Sequence, residues 1–131
     1  MHRMNIETLS SEILGSAIEV HKELGPGLLE STYERCLVHE LSMRGIKTER
    51  QKIQPINFKG LTLDEGYRLD VLVESKIILE LKVVESLADI HTAQLLTYLK
   101  LSQLNLGYLL NFNVTQMKQG IKRLVNNLKK T

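Results

Sequence analysis

The stretch Tyr67–Glu85, YRLDVLVESKIILELKVVE, is the part of the chain whose reading settles the fold. Leucine and β-branched residues crowd both ends of it, with Glu74-Ser75-Lys76 as a polar break. That pattern predicts two antiparallel strands joined by a three-residue loop. Strand side chains alternate between faces, so Leu69, Val71 and Val73 fall on one side and Arg68, Asp70 and Leu72 on the other. On the second strand Ile77, Leu79, Leu81 and Val83 share a face, and Ile78, Glu80 and Lys82 share the opposite one. With Glu74–Lys76 as the turn, Val73 faces Ile77, Leu72 faces Ile78, and Asp70 stands directly across from Glu80. A slip of one residue would send the two acids to different faces.

The flanks supply helices. Residues 6–24 repeat apolar side chains at Leu9, Ile13, Ala17, Val20 and Leu24, the three-and-four spacing of a helix with one buried stripe. Gly25-Pro26-Gly27 breaks it, because proline lacks an N–H and glycine permits positive φ. A second helix is expected from about Leu28 to Arg44, striped by Leu29, Tyr33, Leu37 and Leu41 and ended by Gly45. Two helices joined by so short a break form a helical hairpin. Residues 47–58 alternate imperfectly around Pro55, which suits an edge strand or a bulged one. Lys59-Gly60 signals a turn and Leu61–Leu63 a short strand. Beyond the central hairpin, Leu87–Leu104 reads as a third helix with Ile90, Gln94, Tyr98 and Leu101 in line, and GYLLNF (107–112) as a buried strand. Residues 115–131 suit a helix or a strand with a helical end. The expected architecture is α/β: one domain over residues 1–131, a mixed sheet flanked by helices, opened by the helical hairpin.

Composition narrows the function classes. The chain has 131 residues, 43% hydrophobic and 24% charged, ordinary globular usage that argues against disorder. No apolar run approaches the ~20 residues needed to span a bilayer, and the N-terminus lacks a signal-peptide layout, so no membrane role and a cytoplasmic setting are expected. Cys36 is the single cysteine, which excludes an internal disulfide, a Cys-rich zinc site and a four-thiolate iron–sulfur cluster within one chain. Its helical position suits a small buried hydrophobe. The net charge of +2 neither requires nor excludes nucleic acid, although Lys118, Lys122, Arg123, Lys129 and Lys130 thicken the end of the chain.

The chemistry concentrates on the hairpin. Carboxylates facing each other across two strands have Cβ atoms ~4.5–5.5 Å apart, and like charges so placed are unfavourable unless something compensates. A hard divalent cation does so, since Mg²⁺ takes one or two carboxylates and keeps several waters. Lys82, on the face of Glu80, places an ammonium where it can orient water or offset developing phosphorane charge. The bland alternative puts Asp70, Glu80 and Lys82 on the wet side of a half-exposed sheet. Two other segments weigh against it. GxxExxY (Gly27, Glu30, Tyr33) sets an acid in the first turn of a helix, either as a cap or as a further metal ligand. QxxxY (Gln94, Tyr98) sets two polar groups one helical turn apart, either as a hydrogen-bonded core edge or as a phosphate or base contact. His21 and His91 suit surface or satisfied interior positions.

Taken together, VHKELGPGLLESTYE, YRLDVLVE, IILELKVVE, AQLLTYLKL and GYLLNF resemble, in that order, the GxxExxY family, which looks like a branch of the PD-(D/E)XK nuclease superfamily. The resemblance implies a restriction-endonuclease-like αβββαβ core and metal-dependent phosphodiester hydrolysis with Mg²⁺ or Mn²⁺, on nucleic acid, DNA ahead of RNA. It implies Asp70, Glu80 and the backbone carbonyl of Leu81 as metal ligands, and Lys82 as the residue that positions water. Glu30 matches the first-helix acid of exonuclease-like branches, and Gln94 with Tyr98 matches their QxxxY element. Leu69 stands where the motif's name has proline. A catalytically silent nucleic-acid-binding or protein-interaction module with the same fold is the alternative. A homo-oligomer would supply surface that so short a chain lacks.

Overall fold

The computed structural model describes residues 4–127. Helix α1 spans Ile6–Leu24; the Asn5 side chain caps it by accepting the Thr8 N–H at 2.8 Å, and Gly25 ends it at φ +73°. Helix α2, Glu30–Met43, closes where Gly45 (φ +76°) lets the Ile46 N–H turn back to the Leu41 carbonyl. Leu29, expected within the buried stripe of α2, is instead its N-cap and 73% exposed. Strands β1 (Thr48–Ile53), β2 (Ile56–Phe58) and β3 (Leu61–Leu63) follow, then β4 (Arg68–Val73) and β5 (Ile77–Lys82). Helix α3 (Asp89–Ser102) leads to β6 (Leu106–Asn111), a 3₁₀ turn at Met117–Gly120, and β7 (Ile121–Val125). The segment after residue 115 is thus a strand preceded by a helical turn, and its last four residues lie outside the described range.

The main sheet is mixed and five-stranded, in the order β1-β4-β5-β6-β7, with β5 and β6 parallel and the other pairs antiparallel. The parallel pair needs a long crossover, and α3 supplies it. β1 lies at an edge, while β2 and β3 pair only with each other in a ribbon that leaves Phe58, Leu61 and Leu63 exposed. The central hairpin has the expected register: Val73 pairs with Ile77 and Leu72 with Ile78 around a loop in which Glu74 and Ser75 take φ of +51° and +57°.

Both faces of the sheet are covered. On one, Val71, Val73, Ile77, Leu79, Leu81, Tyr108, Leu110 and Phe112 pack against Leu9, Ile13, Tyr33, Leu37 and Leu41 of the helical hairpin. On the other, Leu69, Leu72, Ile78 and Leu109 pack against Leu95, Tyr98 and Leu99 of α3. Full burial of each such aliphatic side chain contributes on the order of 1.5–3 kcal/mol, so neither face is a solvated surface. Two local readings change. Leu69 joins the α3 side rather than the face of Val71 and Val73, because strand alternation breaks at Asp70. The β1–β4 ladder lapses at the same level, where Gln51 takes φ +52°, and resumes at Lys52. On α3, Ile90, at the start of the line that runs through Gln94, Tyr98 and Leu101, is 70% exposed, and Leu95, Tyr98 and Leu99 are buried. Among the described residues no helix is long and apolar enough to cross a membrane.

Candidate active site

Asp70 and Glu80 meet where β4 and β5 begin to part. Backbone pairing extends as far as Val71 with Leu79; one step further, side chains take over. The Asp70 N–H donates to Glu80 Oε2 at 2.8 Å, and the Leu81 N–H donates to Asp70 Oδ2 at 2.9 Å. Each acid thus accepts a backbone hydrogen bond from the opposite strand, which holds both carboxylates in the opening between strands. Glu80 is 4% exposed and Asp70 half-buried, so neither lies on a wet face.

The electrostatics follow from that burial. Desolvation pushes Asp70 up to about 6, against the Leu81 hydrogen bond and Lys82, with Glu30 and Glu34 adding to the rise. Desolvation also pushes Glu80 up to about 8, reinforced by the neighbouring charge of Asp70 and opposed by the Asp70 N–H and by Lys82. The two share their protons as a pair, since ionising one makes ionising the other harder.

Lys82 ends β5, half-buried, paired in register with Asn111 of β6. Glu30 opens α2, and although much of it meets solvent, partial desolvation of its carboxyl raises its pKa, with Lys82 opposing and Glu34 adding. Leu81 is buried between Glu80 and Lys82, with its backbone engaged by Asp70. On α3, Gln94 Nε2 donates to the Tyr98 hydroxyl at 3.3 Å; Gln94 is exposed and Tyr98 buried. Burial raises the Tyr98 pKa, helped by the charges of Glu80, Asp70 and Tyr67. Asp70, Glu80, Lys82, Glu30, Leu81 and Tyr98 therefore share one neighbourhood, with Gln94 attached through Tyr98. His21 and His91 have backbone partners of their own: His21 Nε2 lies 2.7 Å from the distant Val114 carbonyl, and His91 Nδ1 accepts the nearby Ala88 N–H.

Several neighbours escape a reading of motifs. Glu34 is buried and holds Arg50 and Gln51 of β1, each at 2.7 Å. Its place one helical turn after Glu30 was the available signal. Asn111, within the expected strand 107–112, clamps the chain past Lys82 by accepting the Val84 N–H at 3.1 Å and donating to the Val84 carbonyl at 2.9 Å. The groups in this set able to offer oxygen to a hard cation from adjacent strands are Asp70 and Glu80. Among the described residues no three His, Cys, Asp or Glu side chains converge tightly enough to cage a metal unaided.

A mixed sheet between a helical pair and a crossover helix, with an acidic pair where two strands part, is consistent with a restriction-endonuclease-like fold. The chain belongs to the PD-(D/E)XK nuclease superfamily, whose family model matches residues 7–124. Nucleases of this superfamily generally use divalent metal ions. No curated protein matches the chain. Among solved structures, one titled "Crystal structure of SSO0001" aligns at 18% identity and a TM-score of 0.45, over 92% of this chain and 79% of that one. So distant a likeness adds nothing to the assignment.

Proposed function

We propose that this chain is a divalent-metal-dependent phosphodiester hydrolase of the GxxExxY branch, acting on nucleic acid, DNA ahead of RNA, as one domain. The observation that carries the reading is the crossed pair: two acids on adjacent strands, buried together, each held by a backbone N–H of the other's strand. Burying two carboxylates side by side is unfavourable, as their raised pKa values record. A hard cation such as Mg²⁺ or Mn²⁺ resolves that conflict with few protein ligands. The donor set fits: Asp70 and Glu80 would hold it with the Leu81 carbonyl, and Glu30 is a further oxygen donor at the rim.

When bound, such a cation neutralises phosphate charge and acidifies water. The remaining work falls to the chain. Lys82 Nζ orients the attacking water and offsets negative charge as the new P–O bond forms. The backbone from which Lys82 projects is held by the β5–β6 pairing and by the Phe112 N–H, which donates to the Lys82 carbonyl at 3.0 Å. Glu30, whose carboxyl feels the Lys82 charge, adds negative charge at the rim of the site. Because Gln94 donates to the Tyr98 oxygen, the hydroxyl proton of Tyr98 stays free for a phosphate oxygen, and exposed Gln94 is placed for a phosphate or base.

The test is cleavage of single-stranded DNA, duplex DNA and RNA with Mg²⁺ or Mn²⁺. Product should appear only with metal, vanish in Asp70→Ala and fall at least about a hundredfold in Lys82→Ala; native activity in either variant overturns the reading. The silent-module alternative has one observation in its favour, the absence of a ready three-ligand cage among the described residues. Binding of nucleic acid that falls steeply with salt, without cleavage, would select it.

A further inference from the structure

A chain of contacts runs between the start of α2 and the end of β6. Tyr33 is fully buried, yet its hydroxyl donates to the Gly25 carbonyl and accepts the Leu28 N–H at 3.1 Å. One phenol therefore ties both ends of the Gly25–Leu28 loop, in which Gly25 and Gly27 take φ of +73° and +98°. Glu30 starts α2 two residues later, and Leu29 at the N-cap offers no side chain to cap that helix. The start of the helix carrying Glu30 is thus anchored by a residue one turn inside it.

The other side of the same ring meets the strand end. Tyr33 stacks on Phe112, centroids 4.6 Å apart and planes inclined by 12°. Phe112 is the residue whose N–H holds the Lys82 carbonyl, and its neighbour Asn111 clamps Val84. One aromatic stack therefore joins the loop that leads to Glu30 with the end of β6, which is hydrogen-bonded to the Lys82 carbonyl. Packed rings at this separation resist sliding, because interiors are close-packed.

We propose that Tyr33 is a positioning residue: locked on Phe112, it sets where Glu30 stands relative to Lys82, and so sets the affinity of the acidic site for a divalent cation. The inference rests on the metal-site reading above and assigns the tyrosine of the GxxExxY spacing a mechanical role rather than a chemical one. Tyr33→Phe is the sharpest probe, since it keeps the stack and removes only the hydroxyl that holds the loop.

The test is Mn²⁺ binding, followed from the free-ion electron paramagnetic resonance signal with the whole chain at temperatures well below unfolding. Tyr33→Phe should bind Mn²⁺ about five- to tenfold more weakly than the native chain, the size expected from losing one hydrogen-bonded anchor. Leu124→Ala, a buried change in β7 on the α3 face of the sheet, opposite the stack, supplies the control: it should lower the melting temperature and leave Mn²⁺ affinity unchanged. Should Tyr33→Phe not fold, Phe112→Leu keeps the hydroxyl, loosens the stack, and should weaken Mn²⁺ in the same direction. Native affinity in a folded Tyr33→Phe, or in Phe112→Leu where that is the variant used, overturns the proposal. Absence of Mn²⁺ binding by the native chain itself overturns the metal-site reading, and the proposal with it.

Discussion

Asp70 and Glu80 each accept a backbone hydrogen bond from the other's strand: Glu80 Oε2 takes the Asp70 N–H at 2.8 Å, and Asp70 Oδ2 takes the Leu81 N–H at 2.9 Å. Carboxylate oxygens thereby stand in for ladder carbonyls at the level where β4 and β5 part. The arrangement satisfies two buried N–H groups that separation of the strands would otherwise leave without partners. It also holds two acids together in a place that favours their neutral forms.

The metal-free protein should lose stability as pH rises. Both folded pKa values lie above the ordinary ones, about 6 against 3.8 for Asp70 and about 8 against 4.5 for Glu80. Between those limits the folded state holds protons that the unfolded chain has released. The stabilisation is therefore complete below about pH 4 and lost by about pH 8, at up to ~1.4 kcal/mol per pH unit for each proton. Thermal melts in chelator from pH 5 to 8.5 should show a fall of several degrees, which Mn²⁺ reverses at the alkaline end. A flat profile in chelator would contradict the burial argument.

Glu80→Gln should behave oppositely in its two readouts. The amide carbonyl can still accept the Asp70 N–H, while the buried charge is gone, so the chelated variant at pH 8 should melt no lower than the native chain. Mn²⁺ affinity should drop by at least tenfold. A lower melting temperature at pH 8 together with retained Mn²⁺ binding would assign Glu80 a structural role.

Lys82→Ala should separate binding from chemistry. Its ammonium is assigned to the water and the developing charge, so cleavage should fall by about 10²–10³ in kcat. Mn²⁺ affinity should change little by comparison. Equal losses in both would mean that the lysine acts by shaping the site.

Gly120 makes a prediction independent of any activity. A Cβ built there lies 1.9 Å from the Asn111 carbonyl oxygen, a backbone atom that cannot swing aside. Gly120→Ala should therefore destabilise the fold by about 2 kcal/mol or more, read by urea denaturation, with the strand end at Asn111 displaced. Native stability in this variant would refute the close approach of the 3₁₀ turn to β6.

Much of this was legible in the chain. The register of Val73 with Ile77 follows from a local loop and a strict alternation, both properties of adjacent residues. The helical hairpin follows from the Gly-Pro-Gly break for the same reason. Other features depend on partners distant in sequence. The turn of Leu69 toward α3 arises at the lapse in pairing around Asp70 and Gln51, and no pattern within β4 announces it. The spacing puts Ile90, Gln94, Tyr98 and Leu101 in line, but the packing of α3 on the sheet buries Leu95 and Leu99 and leaves Ile90 exposed.

By itself, then, the sequence determined the elements and the pairing that sets Asp70 across from Glu80, because periodicity and turn chemistry act over a few residues. Tertiary structure alone decided that Glu80 is buried, that Glu34 holds β1 through Arg50 and Gln51, and that Tyr33 stacks on Phe112. Burial and desolvation are properties of everything packed around a group. They come into being only when α2, α3 and the sheet close on one another.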